Sequence, residues 1–194
     1  LPQDTHELAF DYPVEFFEER LWTTPRPRPY RKAVSDAAAL LKTAKKPLII
    51  AGGGVRYSGA EEAVAKFAAE RGIPVVETIA GKGGLTHYHP VHAGPIGIVG
   101  STSANALAAE ADVILAIGTR LQDFTTGSWT AFSRDARFIS INAARFDALK
   151  HRALAVVGDA LESVAELDAA LGAWKAPAGH LPHAKALFKE WDAL

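Results

Sequence analysis

Apolar residues along the chain alternate between helical spacing and short unbroken runs. Between residues 34 and 44 they recur three and four positions apart, which predicts an amphipathic helix. Residues 48–51 then form an apolar run without polar alternation, which is typical of a strand covered on both faces, as in a parallel sheet. The same exchange of helix-like and strand-like segments continues to the end of the chain.

Five more apolar runs predict strands, and the segments between them predict helices. The predicted strands are 74–76, 91–93, 113–117, 138–141 and 154–157, and the predicted helices are about 58–71, 103–109 and 159–171. Ser58 with Glu61, and Asp159 with Glu162, have the spacing of residues that cap the first turn of a helix. Six strands separated by helices make repeated βαβ units. The sequence therefore predicts an α/β fold, a Rossmann-like three-layer αβα sandwich around a six-stranded parallel sheet.

Both ends of the chain depart from this pattern. Proline occupies every second position in residues 25–29, which prevents a helix and predicts an extended connector. The clustered aromatic residues of 16–22 predict that this segment packs against another surface. A final helix ending at Leu194 carries an apolar stripe that fits either this domain or a neighbour, and the sequence leaves both open. We interpret the basic side chains near the connector as a solvated linker rather than a phosphate site; they are Arg26, Arg28, Arg31 and Lys32.

Composition excludes several classes of protein. The 194 residues include 21 Lys and Arg against 22 Asp and Glu, and the net charge of −1 gives no reason to expect nucleic acid or a membrane as a partner. The absence of Cys excludes disulfides, thiolate nucleophiles and zinc–cysteine sites. No segment approaches the roughly 18 apolar residues that a membrane span requires, and no secretory signal is evident, so we expect a cytoplasmic protein.

Candidate ligand-binding residues follow the predicted strands, because open parallel sheets bind ligands beyond the carboxyl ends of their strands. Gly52, Gly53 and Gly54 form a glycine turn after the first strand, which suits either the approach of a phosphate or close packing alone. Glu77 ends the second strand, where a dinucleotide site would place its ribose-binding acid. The glycine-rich loop 94–101 suits a ligand or a neighbouring subunit equally.

The most polar of these loops follows the strand at 113–117. Gly118, Arg120, Gln122 and Asp123 concentrate hydrogen-bonding groups at the predicted ligand edge, and we take them as candidate cofactor-binding residues together with the glycine turn. These seven positions are the candidate ligand-edge residues. Only a binding surface can be assembled from them.

No catalytic or metal-binding residue is predicted. The chain lacks a Gly-x-Ser-x-Gly motif, a His-Glu-x-x-His motif and an acidic cluster. His87, His89 and His92 have a spacing compatible with metal ligands, but no carboxylates accompany them in the loop, so we predict no metal site there. The roles of these three histidines stay open.

Five segments together resemble the central domain of thiamine-diphosphate-dependent enzymes, the family that includes acetolactate synthase, pyruvate oxidase and benzaldehyde lyase. They are residues 1–4, 10–13, 51–55, 81–83 and 118–129, the last being the most specific. Within the family the similarity is greatest to hydrolases that open a cyclic dione by carbon–carbon cleavage in myo-inositol breakdown. The resemblance implies a small-molecule substrate, with thiamine diphosphate and Mg²⁺ bound by other domains of a longer enzyme.

The resemblance also implies a domain organisation. Residues 1–30 would link an amino-terminal pyrimidine-binding domain to the central domain at 31–174, and 175–194 would be a helix leading toward a carboxyl-terminal diphosphate-binding domain. Gly158-Asp159-Ala160 lacks the second glycine of the family's magnesium motif and the Asn that follows it. The chain alone is therefore expected to be inactive, with its own amino- and carboxyl-terminal domains as partners in a homodimer or homotetramer.

The presence of a nucleotide ligand and two alternative identities for the chain stay open at this point. Some central domains of the family bind FAD or an ADP-containing molecule at the strand ends, although the resemblance to the dione hydrolases does not lead us to expect one here. The chain could also belong to another branch, similar to acetolactate synthase. A free-standing dinucleotide-binding domain is the second alternative, and it rests on the glycine turn and Glu77.

Overall fold

A single sheet of six parallel strands organises the computed structural model, which describes residues 2–194. The strands are β1 (Pro47–Ala51), β2 (Val75–Glu77), β3 (His92–Pro95), β4 (Val113–Ile117), β5 (Arg137–Asn142) and β6 (Leu154–Val157). They lie side by side in the order β3-β2-β1-β4-β5-β6, so the winding of the chain reverses between β1 and β4. All six predicted strands are confirmed, as is the Rossmann-like architecture.

Helices cover both faces of the sheet. They are α1 (Arg31–Lys42), α2 (Gly53–Ser58), α3 (Glu61–Arg71), α4 (Thr102–Glu110), α5 (Asp123–Thr126), α6 (Arg145–Ala148), α7 (Ala160–Leu171) and α8 (His180–Asp192), with short 3-10 turns at Gln3–Glu7, Val14–Phe16 and Lys150–Arg152. In β1, Ile49 packs into the core beneath α1, α3 and α7, whereas Leu48 and Ile50 pack into the core beneath α4 and α8. Burial on both faces explains why the strands lack polar alternation.

The capping pattern assigned to Ser58 is wrong, whereas that of Asp159 is confirmed. Ser58 is the last residue of α2, a helix that the sequence did not predict, and α3 begins after Ala60 without a side-chain cap. The Ser58 hydroxyl donates instead to the Asp159 carboxylate at 2.8 Å. Asp159 also accepts from the Leu161 and Glu162 amides and so caps α7.

The proline-rich connector docks on this cap through Arg26, whose side chain is 43% exposed, whereas the Arg28 side chain is 77% exposed and stays solvated as interpreted. Arg26 Nη1 lies 3.3 Å from Asp159 Oδ1, and Arg28 Nε lies 3.2 Å from Glu162 Oε2. The carbonyl of Pro27 accepts from the Asp159 amide at 2.8 Å. Acidic groups at the amino end of α7 attract these guanidinium groups.

The aromatic segment before the connector packs on itself. The ring of Tyr12 contacts those of Phe10, Phe16 and Phe17 at centroid distances of 5.3, 4.6 and 6.2 Å, yet all four rings remain largely exposed. The expected packing against another surface is therefore not made within residues 2–194.

The final helix folds back on the domain, which decides between the two alternatives left open for its apolar stripe. Helix α8 packs against α4 and β3, with Ala184 fully buried in the contact. His180 Nε2 lies 2.8 Å from the carbonyl of Pro47, and burial holds the pKa of His180 below its ordinary value. Within residues 2–194, no helix combines the length and apolar character that a membrane crossing requires.

Candidate functional site

A cleft of about 350 Å³ opens at the carboxyl edge of the sheet, where β1 and β4 lie side by side. This is the point at which the strand order reverses and at which parallel sheets bind ligands. Loops after β1, β2, β4 and β5 contribute its walls. The lining residues are Gly53, Gly54, Tyr57, Thr78, Ile79, Ala80, Gly118, Thr119, Arg120, Gln122, Thr125, Asn142 and Asp147.

The predicted glycine turn is a helix start pressed against the loop after β4. A Cβ atom on Gly54 would lie 2.6 Å from the Gly118 Cα, and one on Gly52 would lie 2.6 Å from the Thr119 Cβ. The Gly52 amide donates to the carbonyl of Ile117, and the Gly54 amide donates to that of Gly118, both at 2.9 Å. Close backbone packing therefore accounts for these glycines, and two of the three amides that could face a phosphate already have partners.

The polar loop after β4 divides its side chains between two surfaces. Arg120 and Gln122 both line the cleft, and Arg120 Nη2 lies 3.4 Å from Gln122 Oε1. Asp123 lies outside it and accepts from the amide and hydroxyl of Ser128 at 2.9 and 2.8 Å. Of the candidate ligand-edge residues, the cleft collects Gly53, Gly54, Gly118, Arg120 and Gln122, while Gly52 and Asp123 do not line it.

Glu77 ends β2 as expected, but its carboxylate is already engaged. The side chain is only 3% exposed, with Oε1 accepting from the Leu85 amide at 2.9 Å and Oε2 lying 3.3 Å from His92 Nε2. Burial opposes the charged form, yet the His92 and Leu85 donors outweigh it and hold the pKa of Glu77 below its ordinary value. This carboxylate is therefore not presented to a ribose in the cleft.

The three histidines after β2 fasten the loop between β2 and β3. His92 binds Glu77 and, through Nδ1, the carbonyl of His87 at 3.1 Å. His87 Nε2 lies 2.7 Å from Asp192 Oδ1, which connects this loop to α8, and His89 Nδ1 accepts from the Val91 amide. Among residues 2–194, no three His, Cys, Asp or Glu side chains converge as a metal site would require.

The glycine-rich loop 94–101 makes its close approach within the chain. A Cβ atom on Gly97 would lie 3.0 Å from the Thr125 Cα, and the Ile98 amide donates to the carbonyl of Phe124 at 2.9 Å. The loop after β4 is thus the neighbour that this glycine accommodates. Neither a ligand nor a second subunit is needed to explain it.

Sequence reasoning missed several residues of the cleft. Thr78, Thr119 and Asn142 each lie within two residues of the end of a predicted strand, and that position was the signal that could have identified them. Tyr57 and Asp147 belong to the short helices α2 and α6, for which the apolar pattern has no signal. Short helices are held by tertiary contacts rather than by periodicity.

The cleft is equipped for polar binding rather than for proton transfer. Its one carboxylate, Asp147, lies 2.6 Å from Lys150 Nζ, and its one guanidinium belongs to Arg120. The Thr78 hydroxyl accepts from the Gly81 amide, and Asn142 Nδ2 donates to the carbonyl of Thr119 at 3.2 Å. The cleft residues thus offer donors and acceptors to a ligand without pairing a nucleophile with a base.

Comparison with known proteins agrees with this architecture. Residues 34–167, more than half of the chain, match the family described as thiamine pyrophosphate enzyme, central domain. Three similar relatives are named 3D-(3,5/4)-trihydroxycyclohexane-1,2-dione hydrolase. They come from Geobacillus thermodenitrificans (46% identity over 86% of this chain and 26% of the relative), Listeria monocytogenes serotype 4b (45%, 86% and 26%) and Clostridium perfringens (41%, 89% and 27%).

The match determines the family but covers only part of these relatives. The chain spans about a quarter of the length of the curated relatives that it matches. The matched segment extends from α1 into α7 and includes β1 to β6 with the whole cleft. The parallel sheet, the polar loop after β4 and the family match agree, and the chain belongs to the central-domain family of thiamine pyrophosphate enzymes.

Proposed function

We propose that this chain is the central domain of a thiamine-diphosphate-dependent hydrolase that opens the ring of trihydroxycyclohexane-1,2-dione by carbon–carbon cleavage in myo-inositol breakdown. The observation that carries the proposal is 46% identity, over 86% of the chain, to a protein named for hydrolysis of this dione. The chain corresponds to about a quarter of that relative, so the activity is assigned to a longer cytoplasmic enzyme in which this domain has a structural and active-site-lining role.

A rim of exposed apolar side chains around the cleft supports an active-site-lining position. We call it the apolar rim; it consists of Ile79, Ile98, Val99, Phe124 and Phe146, which are 56–77% exposed. Each belongs to a loop or short helix that follows a strand at the carboxyl edge. Apolar side chains gathered at one edge favour contact with another protein surface. We assign that surface to the catalytic domains of the same enzyme.

The exposed aromatic segment supports the proposed domain organisation. Leu21 and Trp22 are 94% and 84% exposed, and the rings of Phe10, Tyr12, Phe16 and Phe17 contact one another and are 55–74% exposed. Residues 1–30 would therefore lie against the amino-terminal pyrimidine-binding domain, residues 31–174 form the central domain, and 175–194 lead toward the diphosphate-binding domain. Homodimers or homotetramers of the enzyme would complete the assembly.

The residues of this chain do not fit thiamine diphosphate with Mg²⁺. Asp159, the carboxylate of the incomplete magnesium motif, caps α7 and binds Ser58 and Arg26, so it is not available to a cation. We place thiamine diphosphate and magnesium on the other domains. We also assign no FAD or ADP to the cleft, because the Gly52 and Gly54 amides and the Glu77 carboxylate already have partners.

Within the enzyme, Arg120 and Gln122 are the proposed ligand-contacting residues of this domain. Both present polar groups into the cleft at the edge that we assign to the active site. A guanidinium and an amide suit the hydroxyl and carbonyl oxygens of a trihydroxylated dione or of its acidic product. They would bind and orient, and no proton transfer is assigned to them.

The substrate assignment is tested with the full-length enzyme. Purified enzyme loaded with thiamine diphosphate and Mg²⁺ is expected to hydrolyse the trihydroxycyclohexane-dione and to form no acetolactate from pyruvate. The 194-residue chain alone is expected to be inactive with both substrates. Acetolactate formation without dione hydrolysis would overturn the assignment in favour of the acetolactate synthase branch, and turnover by the chain alone would overturn the domain role.

The lining role is tested by substitution in the same enzyme. Arg120→Gln is expected to raise KM for the dione about tenfold, the loss expected for one charged hydrogen bond, and to change kcat less. Lys66→Gln removes an exposed positive charge from α3, outside the cleft, and it should leave both constants unchanged. Calorimetric titration of the chain with NAD⁺, FAD and ADP should give no saturable heat, and binding of any of them would revive the dinucleotide alternative.

A further inference from the structure

A second cavity lies beside the amino ends of β5 and β6, away from the carboxyl edge. Its volume is about 550 Å³, and it shares no lining residue with the cleft described above. Leu40 of α1 and Leu154 of β6 form part of its floor, and the remaining walls come from the connections that precede β5 and β6. The volume lies within the range of sites for small organic molecules.

Aromatic rings line one wall of this cavity. The ring of Trp129 lies 4.1 Å from that of His151 and 5.6 Å from that of Phe132, measured between centroids. Phe138 meets Phe132 edge to face at 5.1 Å. The rings therefore support one another in fixed orientations and present an apolar surface on which a planar ligand could stack.

Positive charge lines the remainder of the cavity. Arg134, Arg137 and Arg152 all line it, no Asp or Glu does, and none of the three forms an ion pair within residues 2–194. Arg137 Nη2 donates to the Thr43 hydroxyl at 2.8 Å, which holds that side chain in place. Guanidinium groups are permanently charged and match the planar oxygens of carboxylates and phosphates.

Backbone strain is concentrated in the same walls. Ser128, Trp129, His151 and Arg152 have φ angles of 53°, 66°, 61° and 56°, and they are four of the five non-glycine residues with positive φ in the described chain. Each such residue costs on the order of 1–2 kcal/mol, and such costs cluster at ligand sites. Three of these four residues, Trp129, His151 and Arg152, line the cavity, and the His151 imidazole packs against the Trp129 indole.

We propose that this cavity, the arginine–aromatic cavity, binds a planar aromatic anion whose ring stacks beside Trp129 and whose carboxylate or phosphate contacts Arg134 and Arg152. A neutral ring would leave the charges of three guanidinium groups unpaired, and a small inorganic anion would leave the aromatic wall uncovered. The cavity shares no lining residue with the cleft, so this inference does not depend on the proposed function.

Isothermal titration of the 194-residue chain tests the proposal with four probes: 2-naphthoate, 1-naphthyl phosphate, neutral 2-naphthol and inorganic phosphate. Saturable binding is expected for the two aromatic anions, at least tenfold tighter than for either of the others, and weakening as salt is added. The anion that binds more tightly shows whether the cavity prefers a carboxylate or a phosphate. No saturable heat with either anion, or equal affinity for naphthol, would overturn the proposal.

Matched charge variants locate the binding. Arg134→Gln and Arg152→Gln are each expected to weaken binding of the tighter anion about tenfold, whereas Arg145→Gln removes the same charge outside the cavity and should have no effect. Circular dichroism of each variant reports whether the fold is retained. Because these arginines are exposed, folding should persist. An equal loss of affinity in Arg145→Gln, or no loss in either cavity variant, would contradict the assignment.

Discussion

Two regions of the molecule contain left-handed backbone, but different types of residue adopt it. At the contact between the loops that follow β1 and β4, the residue with φ near 60° is a glycine, Gly118. At the arginine–aromatic cavity the same conformation is adopted by bulky residues, among them Trp129 and His151. Glycine adopts this conformation at no steric cost, whereas other residues pay for it and adopt it only when surrounding structure enforces it.

The difference shows what each region requires from its residues. A Cβ atom on Gly118 would lie 2.6 Å from the Gly54 Cα, so backbone contact there excludes any side chain. In the cavity walls the side chains are the feature retained, since Trp129 and Arg152 line the space. Packing therefore determines the residue type at the contact between the loops after β1 and β4. The cavity walls instead combine backbone strain with specific aromatic and charged side chains.

The largest expected effect comes from adding a methyl group where the loops after β1 and β4 meet. Gly118→Ala should lower the free energy of unfolding by about 3 kcal/mol, because a left-handed alanine is strained and its Cβ meets backbone that cannot move aside. Gly83→Ala is the matched control, with φ at 86° but no heavy atom within 4 Å of the added Cβ; it should cost about 1 kcal/mol. Equal losses in urea unfolding would refute the packing explanation.

The opposite sign is expected at the cavity. Arg152→Gly should raise the free energy of unfolding by about 0.5 kcal/mol, because relief of left-handed strain exceeds the chain entropy that glycine adds. Lys66→Gly removes the same charge from the right-handed helix α3 and should instead cost about 1 kcal/mol. Urea unfolding of both variants measures the contrast. A destabilised Arg152→Gly variant would show that its strain is compensated locally.

The two regions should also differ in their response to pH. Burial, with repulsion from Lys150 as a second cause, holds the pKa of His151 below its ordinary value of 6.5. Its stabilising contribution is thus complete above 6.5 and is lost as the pH falls through the lower folded value. When the pH is lowered from about 8 to about 5, protection from hydrogen exchange, corrected for the intrinsic rate, should fall at the Thr130 amide next to Trp129 and stay unchanged at the Gly118 amide. Loosening of both together would indicate global unfolding, to which buried His180 contributes with the same sign.

The smallest effect isolates the charge beside His151. Lys150→Gln should move the pKa of His151 upward toward its ordinary value, because one source of repulsion is removed while burial persists. Titration of the His151 ring resonances by NMR measures the shift. Lys66→Gln removes a distant charge and serves as the control. A downward shift in Lys150→Gln would contradict the assigned cause.

The sequence predicted the sheet well because burial on both faces leaves a local mark. All six apolar runs became strands, and 113–117 matches β4 residue for residue. The candidate site was predicted in part: the loop after β4 supplies Arg120 and Gln122 to the cleft, because strand ends can be located from the sequence. Partners that are distant in sequence could not be predicted, as with Ser58, whose hydroxyl binds Asp159 101 positions away rather than capping α3.

The sequence by itself determined the alternation of helices and strands and the edge at which polar loops gather, since these depend on spacing and local composition, and its motifs carried the resemblance to the family. Only the tertiary structure decided which groups at that edge are free. In the folded chain Glu77 binds His92 and Gly54 packs against Gly118. At a second place, Arg134 and Arg152 line one cavity. The physical reason is that hydrogen bonds, steric exclusion and charge act through space, between residues whose distance apart the linear pattern does not encode.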